Sequence, residues 1–128
     1  MTLQSGRTGR ATRTVAQSDT AIALGSGDVP VLGTPAVVAL VERACCAAVE
    51  GALPEGSTSV GVRVELDHLA PSHVGATVEA TATLTEVEGR GLTFTATVVD
   101  GDEVVARAVH RRAIVDRARF QARLDERG

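Results

Sequence analysis

Lysine is absent from this chain of 128 residues, so every fixed positive side chain is an arginine. That bias is read as a property of the genome's base composition rather than of function. Positive charge is also short overall: 13 basic against 16 acidic residues give a formal net charge of -3. There is thus no general electrostatic attraction to nucleic acid or anionic lipid, and nucleic acid is not expected as a partner. No apolar run approaches the ~20 residues that cross a bilayer, and the first ten residues lack the apolar segment of a secretion signal. Membrane insertion is therefore not expected, and the expected location is cytoplasmic. The only cysteines, Cys45 and Cys46, are adjacent and would point to different faces of a helix, which makes a bridge between them strained. Reduced thiols fit a cytosol. No Cys/His spacing suggests zinc, and Gly89-Arg-Gly91 reads as a turn rather than a phosphate loop. Neither a metal nor a cofactor is expected.

What is present fits one domain. Residues 1–10 are polar with nothing to bury and read as a disordered start, leaving 11–128 as the domain. Thr12 to Leu24 reads as a strand followed by a loop. Thr34-Pro35 reads as an N-cap followed by proline at the first helical position, opening a long helix to about Leu53. From Ser57 the apolar period becomes two. Val60, Val62, Val64, Leu66 and His68 form the expected inward row of one strand. Val78, Ala80, Ala82 and Leu84 form that of the next, and Leu92, Phe94, Ala96 and Val98 that of a third. A further strand spans Glu103 to about Asp116, and the charged tail reads as a short helix or a disordered end. One long helix against an antiparallel sheet is a two-layer α+β arrangement. A helix so apolar on most sides implies contact beyond its own sheet, most naturally with a second copy of the chain.

Glu42 is the anomaly on that helix. At ~100° per residue, Arg43 and Glu50 define the solvent stripe, while Glu42 shares its sector with Val38, Val49 and Leu53. A carboxylate there needs hydrogen-bonding partners or it takes up a proton. Thr34 at the helix start and His68 at the end of the inward row are the candidates to work with it. Thr34 lies about 12 Å from Glu42 along the axis, so a histidine from another element or a symmetry-related subunit must bridge them. Each residue also has a plainer reading: an N-cap for Thr34, a core histidine for His68 and a snorkelling side chain for Glu42. Together they supply an acid, a base and a hydroxyl, the parts that activate an oxygen against an acyl carbon. His73 reads as a solvated loop residue, His110 as an outer or edge residue beside Arg111 and Arg112, and the cysteines as small core residues.

Several local patterns extend this reading. Gly33-Thr34 is followed by Val41-Glu42-Arg-Ala-Cys45, and Asp67-His68-Leu-Ala-Pro by Gly75. Val87-Glu-Gly-Arg90 comes next, then His110-Arg-Arg-Ala-Ile-Val115 before Phe120. From about Val29 to Leu124 the chain resembles the hotdog-fold thioesterases, and within them the fluoroacetyl-CoA thioesterase-like group. The resemblance implies a hotdog fold, in which about five antiparallel strands wrap one long central helix, and a homodimer with sites near its interface. It implies catalytic roles for Thr34, Glu42 and His68 and substrate contacts at Gly33, Gly75 and Arg112. Two departures stand out. Fluoroacetyl-specific members carry phenylalanines in the lid before the threonine, whereas residues 25–33 contain no aromatic residue. Pro35 also removes a backbone N–H where an oxyanion donor is expected, which shifts that task to Ala36 or a neighbour. The activity implied is hydrolysis of a short or medium acyl-CoA. The rivals are a non-catalytic acyl-CoA-binding module and a hydratase or dehydratase on the same fold.

Overall fold

The computed structural model describes residues 3–128. Strands β1 (Thr8–Thr14), β2 (Ser57–His68), β3 (Thr77–Glu88), β4 (Gly91–Asp100) and β5 (Glu103–Asp116) form one antiparallel sheet in the order β1-β3-β4-β5-β2. Helices are α1 (Ala21–Leu24), α2 (Thr34–Ala48) and α3 (Arg117–Arg127). The sheet curls around α2, the arrangement expected of a hotdog fold. The alternation on β3 and β4 is seen as expected: Val78, Ala80, Ala82 and Leu84, with Leu92, Phe94, Ala96 and Val98, are buried against the helix. Each fully buried large apolar side chain in these rows is worth roughly 1.5–3 kcal/mol. The helix contributes Val37, Leu40, Val41, Ala44, Cys45 and Ala48 to the same core.

The amino-terminal expectation needs correction. Met1 and Thr2 lie outside the described residues, but Thr8, Gly9 and Arg10 belong to β1 and pair with Thr83, Ala82 and Thr81. What orders them is a close approach rather than bulk burial. Gly9 lies against the α2 backbone so tightly that a Cβ there would overlap Ala44 and Ala48. The expected strand to Leu24 also ends early, at Thr14. Asp19 turns the chain by accepting from the Ala16 N–H at 2.8 Å and from Arg13 Nε at 2.9 Å. Thr20 then caps α1 by accepting from the Ala23 N–H.

Helix α2 differs from expectation at both ends. Its N-cap is Gly33, so Thr34 is the first helical residue and its hydroxyl makes no capping bond. It stops at Ala48 rather than Leu53, with Val49 as C-cap and Gly51 at a left-handed φ of 73°. At the other end of the chain, Asp116 caps α3 by accepting from the Arg119 N–H at 2.9 Å.

The departure that matters most for function is in β2. Its register against β5 shifts between Gly61 and Arg63, a β-bulge that leaves Val62 61% exposed. A bulge moves every later residue to the opposite face. Before it, Ser59 and Gly61 face the helix; after it, Leu66 and His68 do. The expected single inward row from Val60 to His68 therefore holds only for its second half. β2 is also an edge strand, with Val64 39% exposed.

Candidate active site

The structure gathers the candidate residues into two clusters at opposite ends of the cleft between α2 and β2. The first is Thr34 with His68. Because Gly33 does the capping, the Thr34 hydroxyl is free, and it lies 2.9 Å from His68 Nδ1. Both residues are held by short tethers. The segment before α2 is pinned to the loop after β2 by a bridge between Val31 and His73 and by the Leu32 N–H donating to Ser72 O at 3.0 Å. For the Thr34 hydroxyl to donate, Nδ1 must be the accepting nitrogen, which puts the ring proton on Nε2. His68 Nε2 is buried and has no hydrogen-bond partner among the described residues. An orphaned buried donor is costly and calls for an acceptor.

The second cluster surrounds Glu42. Its Oε2 accepts from Arg112 Nη1 at 3.1 Å. Arg112 also donates through Nε to Ser59 Oγ at 2.8 Å and through Nη2 to Ser59 O at 3.0 Å. His110 Nε2 lies 3.1 Å from Arg112 Nη1 and 3.4 Å from Glu42 Oε2. Gly61 makes room for this packing, since a Cβ there would lie 2.5 Å from Glu42 Oε2. The carboxylate is thus partnered, as its place on the helix required, but in this chain its partner is arginine. Gly61 and His68 are seven residues apart on one strand, about 23 Å at ~3.3 Å per residue. Glu42 cannot touch the His68 of its own chain.

The sequence reading missed His110, Ser59 and Gly61. His110 was expected on an outer or edge face, yet it is 2% exposed. The signal was there: Ala106, Ala108, His110 and Arg112 follow a period of two and are all buried. Gly61 was visible as an isolated glycine inside a strand, a mark of a bulge or a close approach. Of the residues tied to substrate by resemblance, Arg112 is buried and turned onto Glu42. Gly33 spends its N–H on Asp19 O and its carbonyl on the Ala36 and Val37 amides, while the Gly75 N–H goes to Val15 O. The Ala36 amide nominated for an oxyanion is therefore occupied. Cys45 is in the core, where burial pushes its thiol from 9.0 up to about 12, but Cys46 is exposed and not a core residue. His73 is exposed, as a loop histidine should be.

On the side of the Glu42 cluster away from Thr34 and His68, a groove of about 970 Å³ runs along the carboxyl-terminal half of α2 past Glu42, Arg43, Cys46, Leu53, Ser59 and Arg112. No helix among the described residues is long and apolar enough to cross a membrane.

Residues 15–118 match the family described as fluoroacetyl-CoA-specific thioesterase, FlK. The fluoroacetyl-CoA thioesterase of Streptantibioticus cattleyicolor is 33% identical over 97 residues, covering 76% of this chain and 70% of that protein. A solved structure of the fluoroacetyl-CoA thioesterase FlK superposes with a TM-score of 0.92 at 27% identity, covering 100% of this chain and 99% of that one. A variant of FlK in complex with acetyl-CoA superposes at 0.89, also with 27% identity and 98% of each chain covered. With a matching fold and a family match over most of its length, this chain belongs to the fluoroacetyl-CoA-specific thioesterase (FlK) family and is a thioester hydrolase of the hotdog fold.

Proposed function

We propose that the protein is a homodimeric thioesterase that hydrolyses a short or medium acyl-CoA to the free acid and CoA, using Thr34 and His68 of one subunit with Glu42 of the other. The observation that carries this reading is the 2.9 Å contact between Thr34 Oγ1 and His68 Nδ1 beside an unpartnered, buried Nε2. A general base must lie within hydrogen-bond reach of the proton it removes, and this one does. The missing piece is an acceptor for Nε2–H. Glu42 has one: Oε2 is held by Arg112, while Oε1 accepts no hydrogen bond from the described residues.

A two-fold axis can bring the pieces together. The outer edge of β2 is unpaired and both faces of its middle are exposed. Antiparallel pairing with the partner's β2 about Val64 sets Arg63 opposite the partner's Glu65 and, past the bulge at Val62, Gly61 opposite the partner's Leu66 and Ser59 opposite the partner's His68, each of these pairs on the helix side. Opposite charges match across that axis. Glu42, over Gly61, then lies beside the partner's His68.

In this arrangement His68 takes the Thr34 proton as Oγ1 bonds to the acyl carbon, and Glu42 stabilises the imidazolium. The carbon–sulfur bond breaks, and His68 returns the proton to the departing thiolate. Water then repeats the sequence on the acyl-threonine, with His68 again as base. The amino end of α2, where Thr34 is the first residue, favours the negative charge that builds on the carbonyl oxygen. Gly33 and Gly75, whose amides are spent within the protein, shape the mouth of the site rather than hold the substrate. Arg112 acts on the substrate through Glu42.

The test is thiol release from a panel of acyl-CoAs by the wild type and by His68→Ala, Thr34→Ala and Glu42→Gln. Turnover by the wild type and losses of roughly 10² to 10⁴ in kcat for folded His68→Ala and Glu42→Gln are expected. Tight binding of acyl-CoA with no turnover would instead establish a binding module. Undiminished turnover by Thr34→Ala would replace the acyl-threonine with direct attack by water.

A further inference from the structure

His110 has no place in the reaction just described, yet its imidazole is buried beside it, 2% exposed and stacked on Phe94 with ring centroids 6.4 Å apart. An apolar side chain would fill that core position without the cost of burying two polar nitrogens. What the imidazole adds is a pair of directed hydrogen bonds. Arg112 can only donate, so at 3.1 Å His110 Nε2 must accept from Nη1. That fixes the ring proton on Nδ1, which donates to Arg63 O at 2.8 Å. The carbonyl it reaches belongs to the residue that closes the β2 bulge. The bulge thus sets the tautomer of His110, and His110 in turn supplies an acceptor to Arg112.

The two hydrogens of Arg112 Nη1 then have one acceptor each, Glu42 Oε2 and His110 Nε2, both at 3.1 Å. Ser59 holds the rest of the guanidinium through Nε and Nη2. With each nitrogen of the fork held, the charge of Arg112 falls on one carboxylate oxygen and leaves the other open. We propose that His110 is a positioning residue for catalysis: by accepting from Arg112 it aims the guanidinium at Glu42 Oε2 and keeps Oε1 available to His68 across the interface. The inference rests on the thioesterase reading above. His110 touches neither substrate nor reacting atoms. Its effect runs through Arg112, as outer partners orient the groups that do the chemistry.

The test separates the two nitrogens. In His110→Gln the side-chain oxygen falls near the place of Nε2 and can still accept from Arg112. In His110→Asn the amide falls near Nδ1 and keeps only the bond to Arg63 O. Steady-state kinetics on the best acyl-CoA of the panel, with melting temperature measured alongside, should show His110→Asn losing roughly 10- to 100-fold in kcat with KM little changed, the range one hydrogen bond to a charged group is worth. His110→Gln should recover most of that loss. Equal kcat for folded Asn and Gln variants, whether both normal or both impaired, would overturn the proposal and leave His110 as a core residue. Glu42→Gln is the internal control. If Glu42→Gln loses its expected activity while His110→Asn keeps the wild-type kcat, the inference fails alone; if the wild type itself releases no thiol, the thioesterase reading has failed first.

Discussion

Gly61 shows how much of this site depends on one missing side chain. Its Cβ position lies 2.5 Å from Glu42 Oε2 and 3.2 Å from His110 Cε1. The obstructing atom on the glutamate is the end of a flexible side chain, so Gly61→Ala can be accommodated by moving the carboxylate rather than the backbone. Stability should change little, and geometry should suffer. We expect melting within a few degrees of the wild type but a fall in kcat on the order of 10², the scale on which misplacing a catalytic group by about 1 Å acts. Full activity in Gly61→Ala would show that the position of Glu42 is not critical. From sequence, Glu42 and His68 were legible because a charge and an imidazole stood in apolar rows. Their partners were not, because a period-two reading has no means of seeing the bulge at Gly61–Arg63 that moves Ser59 and Gly61 to the helix side. Thr34 was legible as a helix start and as a candidate beside Glu42 and His68, with capping as its plainer reading; Gly33 takes the N-cap position, which leaves the hydroxyl to His68.

At the scale of elements, β3 and β4 were read with the correct inward residues because each is central and buried on its helix face, so alternation survives almost undisturbed. β1 was read too late because Thr8 to Arg10 carries no apolar row. What places it is ladder pairing to β3 and the tight packing of Gly9, neither of which composition reports. The segment between α1 and α2 is the lid implied by the resemblance, and on the proposed reading it is the element that bears on substrate choice. It is tied down by the Thr20–Leu32 and Val31–His73 bridges, and residues 25–33 offer glycine, serine, aspartate, proline and aliphatic side chains in place of aromatic ones. Without an aromatic wall to press on the acyl end, the difference between a C–H and a C–F substituent has little to act on. The ratio of kcat/KM for fluoroacetyl-CoA over acetyl-CoA should therefore remain within about one to two orders of magnitude, the discrimination small pocket contacts provide. A fluoroacetyl preference well beyond that would place the selectivity outside the lid.

On the proposed reading, the site becomes complete only in the whole dimer. Among the described residues of one chain, His68 Nε2 has no partner and Glu42 is held by Arg112 beside His110 rather than by His68, and β2 between them pairs on one edge only. A 12-residue edge strand with exposed valines invites pairing. If pairing is two-fold, each dimer has two sites, each built from Thr34 and His68 of one subunit and Glu42 of the other. This makes a prediction that no single-chain site can satisfy. Thr34→Ala and Glu42→Gln homodimers should both be inactive. A mixed dimer of the two variants has one site in which both defects meet and one in which neither is present. Random reassembly of equal amounts makes half the dimers mixed, so activity should return to about a quarter of the wild-type value per subunit. The measurement is thiol release after co-expression or subunit exchange, with each variant differently tagged so that mixed dimers can be isolated. Isolated mixed dimers should then show about half the wild-type rate per subunit. Failure of purified mixed dimers to turn over would return Glu42 to its own chain's Arg112 as a structural pair, and the orphaned Nε2 of His68 would need a different acceptor.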